Sequence, residues 1–193
     1  MKIYRILNIL LMAMLVTVML VACGQKEVKT GRVNADSLLS VAHKGHQYER
    51  LLELADTLQG TGQITSIHAD YWRGYAYSRQ RLMRLSEKYW KQAVNSDIRN
   101  KEDLEYYAKS ANRLSGELLL KGEYEATMKV AVPALKKMAE ANYQKNSDYA
   151  YLQAAVGCCQ IKLGSPDEAI VNFNQAYNLF YDVVEENPIR SNL

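Results

Sequence analysis

The sequence predicts an all-α protein of about four antiparallel helix pairs, and three observations favour this fold class. Proline is scarce, with 3 among 193 residues, and glycine is modest at 10, so few residues interrupt a helix. Apolar residues recur at steps of three and four over long stretches such as residues 101–120. No stretch alternates apolar and polar residues between turn residues, so essentially no sheet is expected.

Small and aromatic residues recur at fixed offsets along the chain. The clearest unit places Gly74, Tyr77, Ser86, Trp90 and Ala93 at intervals of 3, 9, 4 and 3. Three further units keep parts of this pattern: Leu39, Tyr48, Leu51, Ala55 and Leu58; Ser115, Gly122, Tyr124, Thr127, Ala131 and Ala134; and Gly157, Gly164, Ala169, Phe173 and Ala176. These spacings resemble those of the tetratricopeptide (TPR) repeat. The resemblance implies a TPR-like right-handed solenoid of antiparallel helix pairs.

The resemblance covers residues 35–185, and its units are longer than the family norm of about 34 residues. Ser86 lies 35 residues after Leu51, Thr127 lies 41 after Ser86, and Ala169 lies 42 after Thr127. The excess is about two helical turns at ~3.6 residues each, so we expect lengthened helices with the buried face in phase. Small residues should mark close helix crossings, with an aromatic ring of the next pair filling the groove beside them.

Turn and capping residues divide the predicted helices. Glycines in residues 60–62, at Gly122 and at Gly164 indicate turns. Asn100 is a candidate N-cap for the long helix that follows it. The sequence Ser-Pro-Asp-Glu at residues 165–168 predicts a helix start, with serine at the cap and proline at the first position.

The start of the chain carries the pattern of a secretory signal. Lys2 and Arg5 precede an apolar run over residues 6–21, and small residues then lead to Cys23. This arrangement resembles the lipobox of bacterial lipoproteins, which implies cleavage before Cys23, a diacylglycerol on its sulfur and an acylated amino group. The alternative is an uncleaved anchor over residues 6–22, which has 17 residues where a spanning helix needs ~20.

These signals divide the chain into a signal peptide at 1–22, a lipidated cysteine with a flexible polar tether at 23–34, a helical repeat domain at 35–187 and a tail at 188–193. Either interpretation places the domain outside the cytoplasm. We therefore expect a membrane-anchored lipoprotein facing the periplasm or the cell surface, with inner and outer membrane both left open.

Charge excludes one class of partner. Loss of Lys2 and Arg5 with the signal leaves 22 of the 24 basic residues against all 21 acidic ones. A nearly neutral domain without a basic cluster is not typical of nucleic-acid binding, so no nucleic-acid partner is expected.

Candidate catalytic residues are few, and neither an enzyme nor a cofactor is expected. His43 and His46 place two imidazoles on one helix face, and Glu49 could add a third ligand, but such histidines are more often solvated at a helix end. Cys158 and Cys159 follow one another in a helical pattern, where adjacent side chains diverge, so they are expected to be buried thiols and not a disulfide.

A concave surface lined by the first helix of each pair is the expected binding site. Transferring the groove-facing positions of the repeat family to the matching units nominates His68, Tyr71, Tyr75, Ser78, Arg79, Asn112 and Lys162. Aromatic rings with arginine and asparagine suit a peptide groove, because rings provide contact area and forked donors bind carboxylates or carbonyls. The alternative is that the tyrosines mostly serve packing.

The last helix suggests a second resemblance. Its expected inward stripe is Ile170, Phe173, Tyr177, Phe180 and Val184, and further apolar residues lie elsewhere around it. A terminal repeat should have a polar outer face, so either this end docks on a partner or the repeats continue. Residues 36–39 and 69–78 resemble the extracytoplasmic repeat region of Bacteroidota sensor histidine kinases and membrane-bound regulators. After Cys23, however, no hydrophobic span, kinase motif or DNA-reading helix follows.

Three functional hypotheses follow. The first is a non-catalytic, lipid-anchored scaffold or adaptor that binds a protein or peptide partner in the cell envelope. The second is a sensory input module, truncated from or acting on a sensor kinase or membrane-bound regulator. The third is a small-molecule-binding lipoprotein or enzyme that uses the region of His43 and His46.

Overall fold

A computed structural model describes residues 34–185, with side chains up to Tyr181, and this part of the chain consists of helices and turns without a strand. The signal peptide, Cys23, most of the tether and the tail lie outside the described residues. Eight helices follow one another within 34–185: α1 (Ala35–Lys44), α2 (Tyr48–Gly60), α3 (Ser66–Arg79), α4 (Met83–Asn95), α5 (Lys101–Leu120), α6 (Tyr124–Glu140), α7 (Ser147–Leu163) and α8 (Pro166–Glu185).

Most predicted helix boundaries are confirmed. α2 ends at Gly60, and Gly62, Gly122 and Gly164 each adopt a positive φ in the turn after a helix, at 69°, 77° and 89°. Glycine suits these positions because it has no Cβ to clash in the left-handed region. The Asn100 side chain accepts a hydrogen bond from the backbone N–H of Asp103 at 2.8 Å and so caps the 20-residue α5.

The helices pack in sequence order, and alternate helices also contact one another. Each helix packs against the next one in the sequence, and this includes α4 and α5, which belong to different pairs. Beyond these neighbours, α3 contacts α5 and α5 contacts α7. We call α1, α3, α5 and α7 the first helices of four pairs, so the first helices of the last three pairs form a continuous row.

Small residues mark the helix crossings, as predicted. An added Cβ on Gly74 of α3 would lie 2.4 Å from Nε1 of Trp90, and one on Gly157 of α7 would lie 3.0 Å from the Phe173 ring. Ser86 on the same helix as Trp90 is fully buried. One detail of the prediction is wrong, because Trp90 and Phe173 come from the second helix of the same pair and not from the next pair.

The inward face of α8 differs from the expected stripe. Ile170 and Tyr177 are 57% and 69% exposed, whereas Ala169 and Ala176 are buried and Phe173 is half-buried. α8 therefore turns its small residues toward α7, because close helix approach requires side chains of that size. The expected stripe is therefore wrong at Ile170 and Tyr177, whereas Phe173 and Phe180 contact α7 at Gly157 and Tyr151 as expected. The Val184 side chain lies outside the described residues.

No helix among residues 34–185 has the length and apolar character needed to cross a bilayer.

Candidate functional site

Aromatic rings from three first helices, α1, α3 and α5, gather on one surface. We call this group the aromatic band, and its members are His43 of α1, Tyr71, Trp72 and Tyr75 of α3, and Tyr106 of α5. Ring centroids lie 5.5 Å apart for His43 and Trp72, 4.8 Å for His43 and Tyr75, and 5.4 Å for Tyr71 and Tyr106. Such separations are typical of favourable aromatic pairs.

The band has a buried base and a half-exposed edge. Tyr71 and Tyr106 are each 7% exposed, so their rings mostly support their neighbours. Trp72, Tyr75 and His43 are half-buried and present part of each ring to solvent. Tyr71 and Tyr75 lie one turn apart on α3, which places them on the same side of that helix.

A polar contact joins the first two pairs at the exposed edge. Nε2 of His43 lies 2.9 Å from the Tyr75 hydroxyl oxygen, and the ring planes are nearly perpendicular at 76°. The contact fixes the orientation of the Tyr75 ring, because it adds a directional bond to the aromatic packing.

Three cationic side chains border the rings. The Lys109 ammonium lies 4.5 Å from the Tyr106 ring centroid, and the Arg113 guanidinium carbon lies 5.8 Å from that of Tyr75. Nε of Arg79 donates to the Tyr48 hydroxyl oxygen at 3.3 Å. The first two distances lie within the range of cation–π attraction.

Four cationic side chains act on His43. Burial lowers the pKa of His43, and the positive charges of His46, Arg113, Arg79 and Lys44 lower it further. The exposed edge of the aromatic band is therefore a region of positive potential.

His68 holds a different position from the one predicted for a groove residue. It is 1% exposed, and its ring stacks on Tyr106 with centroids 3.5 Å apart. Nδ1 bonds the Glu102 carboxylate at 2.6 Å, while Nε2 lies 3.6 Å from Asp36 Oδ1 and has no hydrogen-bond partner among the described residues. His68 therefore connects three first helices from inside and cannot itself touch a ligand in this conformation.

Opposing effects set the pKa of His68, and their sum lowers it. Burial is the largest cause and disfavours the imidazolium. The hydrogen bond and charge of Glu102 and the charge of Asp36 raise the pKa, and Lys109 lowers it.

The other predicted groove residues are only partly brought together. Tyr71, Tyr75 and Arg79 belong to the band or its border, as described, and Ser78 is half-buried near the end of α3. Asn112 on α5 is half-buried, and its Nδ2 donates to Asp148 Oδ1 of α7 at 2.8 Å. Lys162 is exposed at the end of α7, and no contact within residues 34–185 joins it to the band.

Several residues of the band and its border are not among the predicted groove residues. The sequence suggests His43 only as a metal ligand, and it does not nominate Trp72 and Tyr106 of the band or Lys109 and Arg113 of its border. A signal was present on α5, because Tyr106, Lys109 and Arg113 follow one another at steps of three and four. These steps place an aromatic ring and two cations on one side of that helix.

The histidine and cysteine predictions have mixed outcomes. His46 does not share a helix face with His43, since α1 ends at Lys44 and His46 lies in the next turn with φ 54°. No group of three or more His, Cys, Asp or Glu residues in 34–185 is arranged to hold a metal ion. Cys159 is buried as expected, Cys158 is half-buried, and both are free thiols.

An open depression adjoins the Arg79 end of the band. Its volume is 580 Å³, and its walls come from the turn between α1 and α2 with the start of α2, and from Gln80. Tyr48, which accepts the Arg79 hydrogen bond, is one of the lining residues. A ligand segment on the band could therefore continue into this depression.

Comparison of the chain with protein-family models gives no match, and no curated protein matches it. Function is therefore inferred from the sequence and from the geometry of the described residues.

Proposed function

We propose that this protein is a non-catalytic, lipid-anchored scaffold or adaptor of the cell envelope that binds a protein or peptide partner on its first helices. The observation that carries this proposal is the aromatic band with its cationic border. Half-exposed aromatic rings beside arginine resemble the residues that contribute most to protein recognition, because rings offer area at low entropic cost and arginine offers forked donors. A row of helices supplies an extended surface that suits a peptide segment.

We further propose that the four pairs are TPR-like repeats in a right-handed solenoid. Two features support this: the contacts of α5 with α3 and α7, and the small residues at the crossings of α3 with α4 and of α7 with α8. In such an arrangement the first helices line the concave side. The aromatic band would then lie in the groove where extended ligands bind.

The proposed anchor is a diacylglycerol on Cys23. The signal pattern before this residue supports it, and several acyl chains on one cysteine hold a protein durably where a single chain would be marginal. We place the repeat domain in the periplasm or at the cell surface.

Metabolic labelling with palmitate tests the anchor. We expect wild-type protein to incorporate label and Cys23→Ser to lose it, because only the Cys23 sulfur follows the lipobox pattern. Cys158→Ser is the matched control and should keep full incorporation. Label retained by Cys23→Ser would show that the anchor is wrong.

Photo-crosslinking in intact cells tests the binding surface. A benzophenone-bearing phenylalanine at position 75 is expected to yield a discrete crosslinked product, because the Tyr75 ring is half-exposed beside His43 and Arg113. The same group at position 89 is the control, since Tyr89 lies on a second helix, stacked on Tyr77 at 5.5 Å. Product from position 75 alone supports the proposal, and equal products or none from position 75 contradict it.

The identity of the captured protein separates two functions. A subunit of an envelope assembly supports the scaffold. A sensor kinase or membrane-bound regulator supports the alternative of a sensory input module, which the resemblance of residues 36–39 and 69–78 to such proteins favours.

A further inference from the structure

Among the described residues, the two arginines around Tyr75 have no carboxylate partner. Within residues 34–185 no carboxylate lies within 4.0 Å of the Arg79 or Arg113 guanidinium, whereas Arg73 is paired with both Asp56 and Asp70 at 2.7 Å and 2.8 Å. Arg113 and Arg79 are both exposed, and their polar partners are tyrosine hydroxyls: Arg79 donates to Tyr48, and Arg113 interacts with Tyr71. Arg73 is therefore held by ion pairs within the domain, whereas Arg79 and Arg113 can form ion pairs with a ligand.

These two arginines belong to one site. Arg79 follows Tyr75 by one turn on α3, and Arg113 of α5 lies against the Tyr75 ring. Both also act electrostatically on His43, which contacts the Tyr75 hydroxyl. The Tyr75 ring therefore lies in a field of positive charge from two neighbouring helices.

A carboxylate that acts on the same tyrosine as Arg113 is already engaged. Asp148 of α7 influences the Tyr71 hydroxyl, as Arg113 does, but it accepts the Asn112 hydrogen bond at 2.8 Å and forms no ion pair with Arg113. A ligand carboxylate can thus reach Arg113 without displacing an internal ion pair.

We propose that the surface between Arg79 and Arg113 binds an acidic segment of the protein partner, with Asp or Glu carboxylates on the guanidiniums and a neighbouring side chain on the Tyr75 ring. This inference rests on the proposed function and specifies the chemistry of the partner. Guanidinium favours carboxylate because its planar donors form two parallel hydrogen bonds with it. The 580 Å³ depression beside Tyr48 gives the segment room to continue.

Selection of displayed random dodecapeptides on the full chain in detergent micelles tests this. Selected peptides should be enriched in Asp and Glu. Synthetic copies should weaken about tenfold, or about 1.4 kcal/mol, when those residues become Asn and Gln, because ion pairs at exposed arginines are screened by water. Arg79→Gln/Arg113→Gln should cause a similar loss with unchanged helical circular dichroism. The control Arg84→Gln/Lys129→Gln removes two exposed cations from second helices and should change affinity less than about twofold.

Other outcomes are decisive in different ways. The selected peptides could instead lack acidic bias, bind Arg79→Gln/Arg113→Gln as well as wild type and fail to bind Tyr75→Ala. That result would overturn the acidic partner and leave the proposed function standing. Failure to select any peptide would contradict both. Specific binding of dihexanoyl phosphatidylglycerol in place of peptides would make the surface a lipid site and overturn the inference. Amidation of the peptide C-terminus separates a terminal carboxylate from side-chain carboxylates as the bound group.

Discussion

Gly74→Ala is expected to lower the free energy of unfolding by about 1–3 kcal/mol, although alanine favours a helix over glycine by about 0.5–1 kcal/mol. The added methyl would lie 2.4 Å from Nε1 of Trp90 and 2.5 Å from its Cδ1. Trp90 is 1% exposed and its Nε1 donates to the Tyr71 carbonyl at 3.3 Å, so the indole cannot move without breaking a buried contact. Urea unfolding of the full chain in micelles, followed by circular dichroism, measures the change.

Gly116→Ala is the matched control. Gly116 lies inside α5, and an added Cβ there would meet no atom within 4 Å. This substitution should raise stability by about 0.5–1 kcal/mol through helix propensity alone. Equal effects of the two substitutions would show that Trp90 does not pack on Gly74. In a Trp90→Phe background the cost of Gly74→Ala should shrink, because the smaller ring leaves room and the two sites are coupled.

Acidification from pH 7 to about pH 5.5 is expected to destabilise the fold. Burial lowers the pKa of His68, and burial with neighbouring cations lowers that of His43. The unfolded chain therefore binds more protons than the folded one below pH ~6.5, so the stability present above this pH is lost as pH falls. Each histidine contributes a slope of at most about 1.4 kcal/mol per pH unit.

His68→Gln should flatten this pH dependence while lowering stability at every pH, since glutamine does not titrate and cannot stack on Tyr106 as imidazole does. The slope between pH 7 and 5.5 is therefore the diagnostic quantity, measured by urea unfolding at several pH values. Stability that rises on acidification in wild type would show that Glu102 and Asp36 outweigh burial at His68. An unchanged slope in His68→Gln would show that this histidine does not set it.

Much of the fold could be predicted because its determinants are local. Local patterns predicted the glycine turns, the Asn100 cap and the apolar steps along α5. Each of these patterns acts within one or two helical turns, so neighbouring residues are enough to identify it. The sequence also predicted that Gly74, Ser86 and Gly157 would be buried where helices pack closely, because only small side chains permit close helix crossings.

The candidate site was less predictable because it depends on three helices at once. Tyr71, Tyr75 and Arg79 were found through repeat spacing, but Arg113 and Tyr106 join them only through the contact between α3 and α5. His68 is the clearest example of a residue whose role the sequence did not predict. Its position in the repeat suggested a groove residue, but it is buried against Tyr106 and Glu102 and connects α3 to α5 inside the domain.

The order of the residues was sufficient to predict an all-helical chain, three of its glycine turns, the Asn100 cap and the small residues at two crossings, because each of these depends on near neighbours. Packing alone decided which aromatic rings reach solvent, which face of α8 turns inward and which arginines lack a carboxylate. Those properties depend on residues well separated in the sequence, from 16 positions for Gly157 and Phe173 to 38 for Tyr75 and Arg113. Their distance is set by how the helices pack, and no local pattern encodes it.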